Sequence, residues 1–266
     1  MARGPARSPD RQQLMSFWDH LEELRWRLIK SIVAVFVGGI ASLALSDRIL
    51  SFLLRPALQL GPSVRLVNLT PLSMVIVRLY IALITGLLVG LPVLVYQLWR
   101  FISPGLYRHE RRAAPWVLLS TLALFVLGAL LSYAMMPYLF RVLVGAGYRG
   151  VENTWNIREY MGFLLGFMGA FGVVFELPVV VYILSVIGIV TPATLRRFRR
   201  WAIVLIFIVA AVLTPSPDPF SQIAMAVPLL ILFELSIFVS AMVWRRKIRQ
   251  RQAELAEADG GSGGGP

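Results

Sequence analysis

Six long apolar runs constrain this chain more than any other feature of its sequence. They lie at about 28–45, 74–99, 115–138, 161–188, 202–214 and 220–243. A helix needs about 20 apolar residues to cross a hydrocarbon core of about 30 Å. Inside that core the backbone N–H and C=O groups must find their partners within the protein, which favours helices. The sequence therefore predicts an all-α integral membrane protein with six transmembrane helices.

The fifth run is short for a membrane span. Its length of 13 residues corresponds to only about 20 Å of helix, because each residue rises about 1.5 Å. Three prolines within residues 215–219 then force a tight turn before the sixth run. We therefore expect the fifth and sixth helices to be short and to form a hairpin.

The distribution of basic residues predicts the orientation. If both termini lie on one side, 18 of the 26 Lys and Arg residues lie on that side and 6 on the other, with Lys30 and Arg78 near span ends. Such an excess marks the cytoplasmic face, so we expect both termini to be cytoplasmic. Because topology explains the net charge of +12, we expect the lipid bilayer and no nucleic acid as a partner.

The composition argues against redox, metal and enzyme functions. The chain has no Cys and only two His, so ligands for zinc, iron–sulfur clusters or haem are scarce. His109-Glu110 begins like a zincin motif, but Ala113 stands where the second His is required. No GxSxG or GxxxxGK[ST] motif is present, and no Asp lies within a predicted span. We expect no catalytic residues and no cofactor.

The predicted domain organisation is simple. Residues 1–13 are expected to be a disordered N-terminal segment, and residues 14–245 to form a single six-helix domain. Residues 246–266 begin basic, become acidic and end in a glycine-rich stretch, a composition typical of a flexible cytoplasmic tail.

Two acidic residues are predicted to lie on the cytoplasmic surface. Glu23 lies opposite the apolar face of a helix that runs into the first span, and Glu110 is the only acid in a loop with several arginines. Each has a purely local alternative. Glu23 could pair with Arg27 at i,i+4, and Glu110 could neutralise its arginine cluster.

Two further acids fall within the predicted spans. Glu176 precedes Pro178 in the fourth span, and Glu234 lies nearer the inner end of the sixth. An acid at membrane depth usually faces a protein interior or a wet cavity, and a proline there removes a backbone hydrogen bond and kinks the helix. The alternative is a neutral carboxyl hydrogen-bonded within the bundle. Asp218 and Gln222 lie at the predicted hairpin, where capping of the turn is the simplest role.

Several motifs in this order resemble the TatC family of twin-arginine translocase subunits. They are HLEELR at 20–25, FISPGLY at 101–107, HER at 109–111, FELP at 175–178 and LTP at 213–215, followed by Asp218 and Gln222. The resemblance covers roughly residues 14–245. One departure is Ser73 in TPLSM, where many relatives carry Glu.

The resemblance implies a receptor for the twin-arginine signal peptides of folded proteins, whose export is driven by the proton-motive force. It implies TatA- and TatB-type single-span subunits as partners in an oligomeric complex, and a location in a bacterial cytoplasmic (inner) membrane. Glu23 and Glu110 match the acids that bind the arginine pair. The surrounding recognition motif is matched by Arg25, Phe101, Pro104, Leu106 and Tyr107. Positions of structural or partner-contact importance are matched by Pro56, Glu176, Asp218 and Gln222.

Two other functions fit the residues alone. A secondary transporter or channel subunit would use Glu176 and Glu234 for protons or cations. A membrane-protein insertase would also use a polar intramembrane groove, but it would not distinguish arginine from lysine in its client.

Overall fold

The computed structural model describes residues 17–61, 64–102, 114–145, 153–213 and 219–262. Within these ranges the chain forms eight helices and two short strands. In chain order they are α1 (Phe17–Leu43), α2 (Ser46–Leu58), β1 (Val64–Val67), α3 (Ser73–Ile102), α4 (Ala114–Gly145), β2 (Asn153–Asn156), α5 (Ile157–Phe175), α6 (Leu177–Ile187), α7 (Pro192–Leu213) and α8 (Pro219–Ser262).

Five segments of the described chain are long and apolar enough to cross a membrane. They are Leu21–Leu43, Ser73–Phe101, Pro115–Gly145, Ile157–Ile187 and Ser221–Gln250. Large apolar side chains such as Phe36 and Leu83 are 68% and 62% exposed, which suits contact with lipid rather than water. The chain is therefore an all-helical, multi-pass membrane protein. The short fifth predicted span lies in α7, which is not among the five.

Helices α1 and α3 pack closely because small residues lie where they cross. A Cβ on Gly86 would lie 2.5 Å from the carbonyl oxygen of Val35, and a Cβ on Gly90 would lie 2.7 Å from its Cγ2 atom. Glycines four residues apart allow two helix backbones to approach in this way. A side chain at either glycine would force α1 and α3 apart.

Helix α2 packs against the core, where two tyrosine hydroxyls bind backbone carbonyls close to its proline. Its buried side chains include Leu53 and Pro56. Pro56 has no N–H, so it cannot donate to the carbonyl of Phe52 four residues earlier. The hydroxyl of Tyr133 on α4 donates to that carbonyl at 2.8 Å, and the hydroxyl of Tyr160 on α5 donates to the next one, on Leu53, at 2.7 Å.

The two strands connect the segments after α2 and α4. β1 pairs with β2 in parallel, with Val64 opposite Asn153 and Val67 opposite Asn156. β2 leads directly into α5, because the Asn156 side chain caps that helix by accepting from the Arg158 N–H at 3.1 Å. The main buried cluster lies beside this sheet and is centred on α5.

Helices α7 and α8 pack as an antiparallel pair. Gln222 near the start of α8 donates to the carbonyl of Phe207 at 3.0 Å, and Glu234 further along α8 pairs with Arg199 near the start of α7 at 2.8 Å. The predicted hairpin is therefore present. The prediction that both helices are short is wrong, because α7 extends beyond its short apolar run to 22 residues and α8 has 44. The continuation of α8 to Ser262 takes in most of the segment predicted to be a flexible tail. Many residues in 250–258 are strong helix formers, which accounts for it.

We expect Tyr133→Phe to destabilise the protein by about 1 kcal/mol, because the Phe52 carbonyl loses its donor. The same substitution should cost less in a Pro56→Ala background, where the alanine N–H can serve that carbonyl. The unfolding midpoint in a denaturing-detergent titration measures both effects. Tyr138→Phe is the matched control, because Tyr138 is an exposed tyrosine on the same helix. Equal losses in the two backgrounds would contradict this account of Pro56.

Candidate functional site

The predicted receptor residue Glu23 lies where the start of α1 meets the end of α3. Arg27 pairs with Glu23 through Nη2 and Oε1, and its Nη1 donates to the carbonyl of Gln97 on α3 at 3.2 Å. The side chains of Arg27 and Glu23 are only 12% and 24% exposed. We call these three groups the Glu23 site.

The Glu23 site confirms the local pair that the i,i+4 spacing allows and adds a tertiary role for it. A guanidinium presents several N–H donors in a planar fork, so Arg27 can bind the Glu23 carboxylate and the α3 backbone at once. The contact fixes the Glu23 side chain relative to α3. The site is therefore a half-buried carboxylate that already holds one guanidinium.

The other residues of the predicted receptor motif are only partly described. Arg25 is exposed near the start of α1, and Phe101 is partly buried at the end of α3. Pro104, Leu106, Tyr107 and Glu110 lie outside the described residues. For this motif, the structure brings together the ends of α1 and α3 that carry Glu23 and Phe101.

Glu176 lies between α5 and α6, at the level where the sequence predicts a kink. It caps the end of α5 and the start of α6, and its carbonyl accepts from the N–H groups of Val179 and Val180 at 3.0 and 2.9 Å. Pro178 in the first turn of α6 is well tolerated, because the N–H that it lacks is unpaired in any helix start.

Thr121 on α4 faces the Glu176 carboxyl. Each of the two side chains keeps a buried oxygen without a hydrogen-bond partner among the described residues. Buried polar atoms of this kind are costly in an apolar environment, so this pair marks a polar position within the bundle. A threonine in an apolar helix carries no sequence signal of its own, so the sequence did not predict Thr121 as a neighbour of Glu176.

Of the four remaining predicted residues, three lie in different parts of the described structure and one lies outside it. Glu234 is 52% exposed at its side chain and pairs with Arg199, so it has a cationic partner that the sequence analysis did not identify. Gln222 connects α8 to α7 as described above, and Asp218 lies outside the described residues. Pro56 is buried in α2, away from both acidic sites.

Metal ligands do not cluster in the described ranges. No three His, Asp or Glu side chains come together there as a metal site would require. The chemistry that these residues can perform is recognition of a cation or a hydrogen-bond donor by a carboxylate.

Comparison with known proteins identifies close relatives over most of the chain. The family described as "Sec-independent protein translocase protein (TatC)" matches residues 19–228. The TatC protein of Aquifex aeolicus is 38% identical over 236 residues, covering 88% of this chain and 98% of that protein. The TatC protein of Carboxydothermus hydrogenoformans is 37% identical over 230 residues, covering 86% and 94%.

Solved structures agree with these sequence matches. A crystal structure described as the twin-arginine translocase receptor TatC superposes with a TM-score of 0.73 at 38% identity, covering 84% of this chain and 99% of that one. A second crystal structure of that receptor, in the detergent DDM, gives a TM-score of 0.74 at 39% identity, covering 83% and 99%. At this identity and coverage the similarity extends to the whole helical framework.

We expect the Glu23–Arg27 pair to contribute more to stability than the Asp47–Arg78 pair. Both are ion pairs, but the second is much more exposed, with 47% of the Arg78 and 81% of the Asp47 side chain accessible. Double-mutant cycles with Gln and Asn replacements should give a coupling of about 1 kcal/mol at the Glu23 site and less than about 0.5 kcal/mol at the exposed pair. Equal couplings would show that burial of the Glu23 site has no energetic consequence.

Proposed function

This chain belongs to the TatC family of Sec-independent protein translocase proteins, and from that membership we propose that it binds twin-arginine signal peptides at its cytoplasmic face. As a member of the family it is a non-enzymatic, multi-pass component of prokaryotic Tat transport. We further propose the complete topology as six spans with both termini in the cytoplasm, α7 being the short fifth span. Its location is then a bacterial cytoplasmic membrane.

The observation that carries the proposal is the ion pair between Glu23 and Arg27. Its carboxylate is already paired with a guanidinium in a half-buried position. A planar guanidinium matches a carboxylate with two parallel donors, whereas an ammonium is a compact point charge. A surface that holds its own arginine in this way is suited to bind the arginines of a client. Glu110 would supply the second carboxylate, and the motif from Phe101 to Tyr107 would surround them.

Two carboxylates alone bind a peptide weakly. A charge-assisted hydrogen bond contributes about 1.5–3 kcal/mol, and about 4 kcal/mol in total corresponds to millimolar affinity. The apolar segment of the signal peptide must therefore supply the remaining affinity by inserting beside the spans. In this scheme the arginines select the client and the apolar segment holds it.

We expect Glu23→Ala to weaken binding of a twin-arginine signal peptide roughly ten- to hundredfold, which is the loss of one charge-assisted contact. Glu110→Ala should have a similar effect. Fluorescence anisotropy of a labelled peptide with the purified, detergent-solubilised protein measures it. Glu22→Ala is the matched control, because Glu22 is an exposed acid one residue away.

The peptide itself supplies the second control. Replacing its two arginines by lysines should reduce binding to the wild type, and the reduction should be smaller in Glu23→Ala, where only Glu110 remains to distinguish the two peptides. Equal binding of both peptides to the wild type would contradict the proposal and would favour an insertase. Flux of a small solute through the purified protein alone would favour a transporter or channel.

We also propose that Glu176 contacts a partner subunit of the TatA or TatB type within an oligomeric complex. Its position supports this, because Glu176 and Thr121 present buried polar oxygens within an otherwise apolar bundle. Glu176 is only partly buried, so a single-span partner helix with a polar side chain could donate to its carboxyl, and interhelical hydrogen bonds are among the interactions that associate helices in lipid.

We expect Glu176→Ala to reduce co-purification of the single-span partners and transport of a folded client together. Glu176→Gln, which keeps a hydrogen-bonding side chain of the same shape, should retain more of both. Quantitative immunoblotting of the purified complex measures the first effect. Glu234→Gln is a comparison variant, since Glu234 has Arg199 as a partner within the chain. Wild-type levels of partner and transport in Glu176→Ala would refute this role.

A further inference from the structure

A long apolar groove runs along the contact between α1 and α3 on the surface of the protein. Its volume is about 690 Å³, and we call it the α1–α3 groove. Apolar side chains of both helices line it, among them Leu24, Phe36 and Leu43 on α1 and Leu83 and Leu94 on α3.

The polar residues of the groove lie towards one end. Arg27 and Gln97 line this end, and Ser31 follows one turn further along α1. The Ser31 hydroxyl donates to the Arg27 carbonyl at 3.0 Å, so it is satisfied within its own helix. The groove therefore has a polar mouth, at Arg27 and Gln97, and an apolar body.

The dimensions of the groove decide what can fill it. From Leu24 to Leu43 the groove follows α1 for about 28 Å at 1.5 Å per residue, close to the thickness of a hydrocarbon core of about 30 Å. The volume of 690 Å³ is the space open to the centre of a water molecule. Over that length it gives a cross-section of about 25 Å², and adding a water radius of about 1.4 Å on each side gives a free width of about 8 Å. A helix with its side chains is about 10–12 Å wide. The groove thus fits a single hydrocarbon chain better than a helix.

The charges at the mouth favour an anionic head group. Arg27 uses one N–H for Glu23 and one for the Gln97 carbonyl, and a guanidinium has five N–H donors. Arg100 is exposed and follows Gln97 by three positions, on the same side of α3. The acids near the mouth on α1 are Glu22 and Glu23. Basic pockets between membrane helices on the cytoplasmic side bind the head groups of anionic lipids.

We propose that the α1–α3 groove is a binding site for an anionic phospholipid, with one acyl chain along the groove and the phosphate at Arg27 and Arg100. The site requires only that the protein lies in a membrane and does not depend on the proposed receptor function. A neutral phospholipid would fill the groove equally well but would lose the contacts at the mouth.

The experiment uses the purified full chain in detergent with phosphatidylglycerol that carries a photoreactive group on one acyl chain. Cross-linked peptides identified by mass spectrometry should come from α1 and α3. Unlabelled phosphatidylglycerol should compete better than phosphatidylcholine of the same chain length. One cationic side chain near a membrane surface contributes about 1 kcal/mol of attraction, so Arg27→Gln should lower this preference about fivefold.

Matched variants separate the charge, the groove and the fold. Arg27→Lys keeps the charge and should retain most of the preference for phosphatidylglycerol. This result would show that the loss in Arg27→Gln comes from the missing charge and not from misfolding. Leu83→Trp should reduce cross-linking by obstructing the groove. Leu127→Trp is its control, since Leu127 is a similarly exposed leucine on α4. Arg141→Gln is the control for charge, since Arg141 is an exposed arginine near the end of α4.

Three results would overturn the proposal. Equal competition by the two lipids would show that the mouth does not select an anion. Cross-linking unaffected by Leu83→Trp would place the acyl chain elsewhere. Complete loss of cross-linking when a twin-arginine signal peptide is added at its binding concentration would assign the groove to the apolar segment of that peptide.

Discussion

The structure depends on one constraint, which is that a backbone polar group at membrane depth must find its partner within the protein. Continuous helices satisfy it without help. Each interruption of a helix needs a compensating donor or acceptor, and the protein supplies it from a neighbouring helix. Helix α2 lies outside the five apolar segments, yet it shows the same compensation, because at Pro56 the missing N–H is replaced by the hydroxyl of Tyr133 and the proline connects α2 to α4.

The same constraint explains how α8 holds the end of α6. A helix leaves its last carbonyls without partners, and two side chains of α8 serve this region. Lys247 donates to the carbonyl of Val186, and the indole N–H of Trp244 donates to that of Val190 at 3.0 Å. The tryptophan is therefore a structural donor as well as an aromatic residue at the membrane boundary. These contacts give the long α8 a role in fixing the turn between α6 and α7.

Local patterns predicted the parts of the structure that depend on neighbours in sequence. Spacing or the chemistry of single residues predicts the apolar runs, the interruption of the helix near Glu176 and the pairing of Arg27 with Glu23. Contacts between segments distant in sequence were not predictable in this way. The parallel pairing of β1 with β2 joins strands of four residues each, and such short runs carry too little pattern to predict a partner. The position of Thr121 opposite Glu176 depends in the same way on how α4 packs.

The arrangement at Glu23 limits how a client arginine can bind under the proposed function. Arg27 is on the same helix as Glu23, so its effective concentration at that carboxylate is in the millimolar range or above. A dilute peptide cannot displace such a neighbour through one equivalent guanidinium contact. It must either share the carboxylate, which can accept bidentate donors, or bring additional binding energy from its apolar segment. The arginine contact then contributes selectivity more than affinity, because a lysine in the same place would face the same competitor without the planar fork.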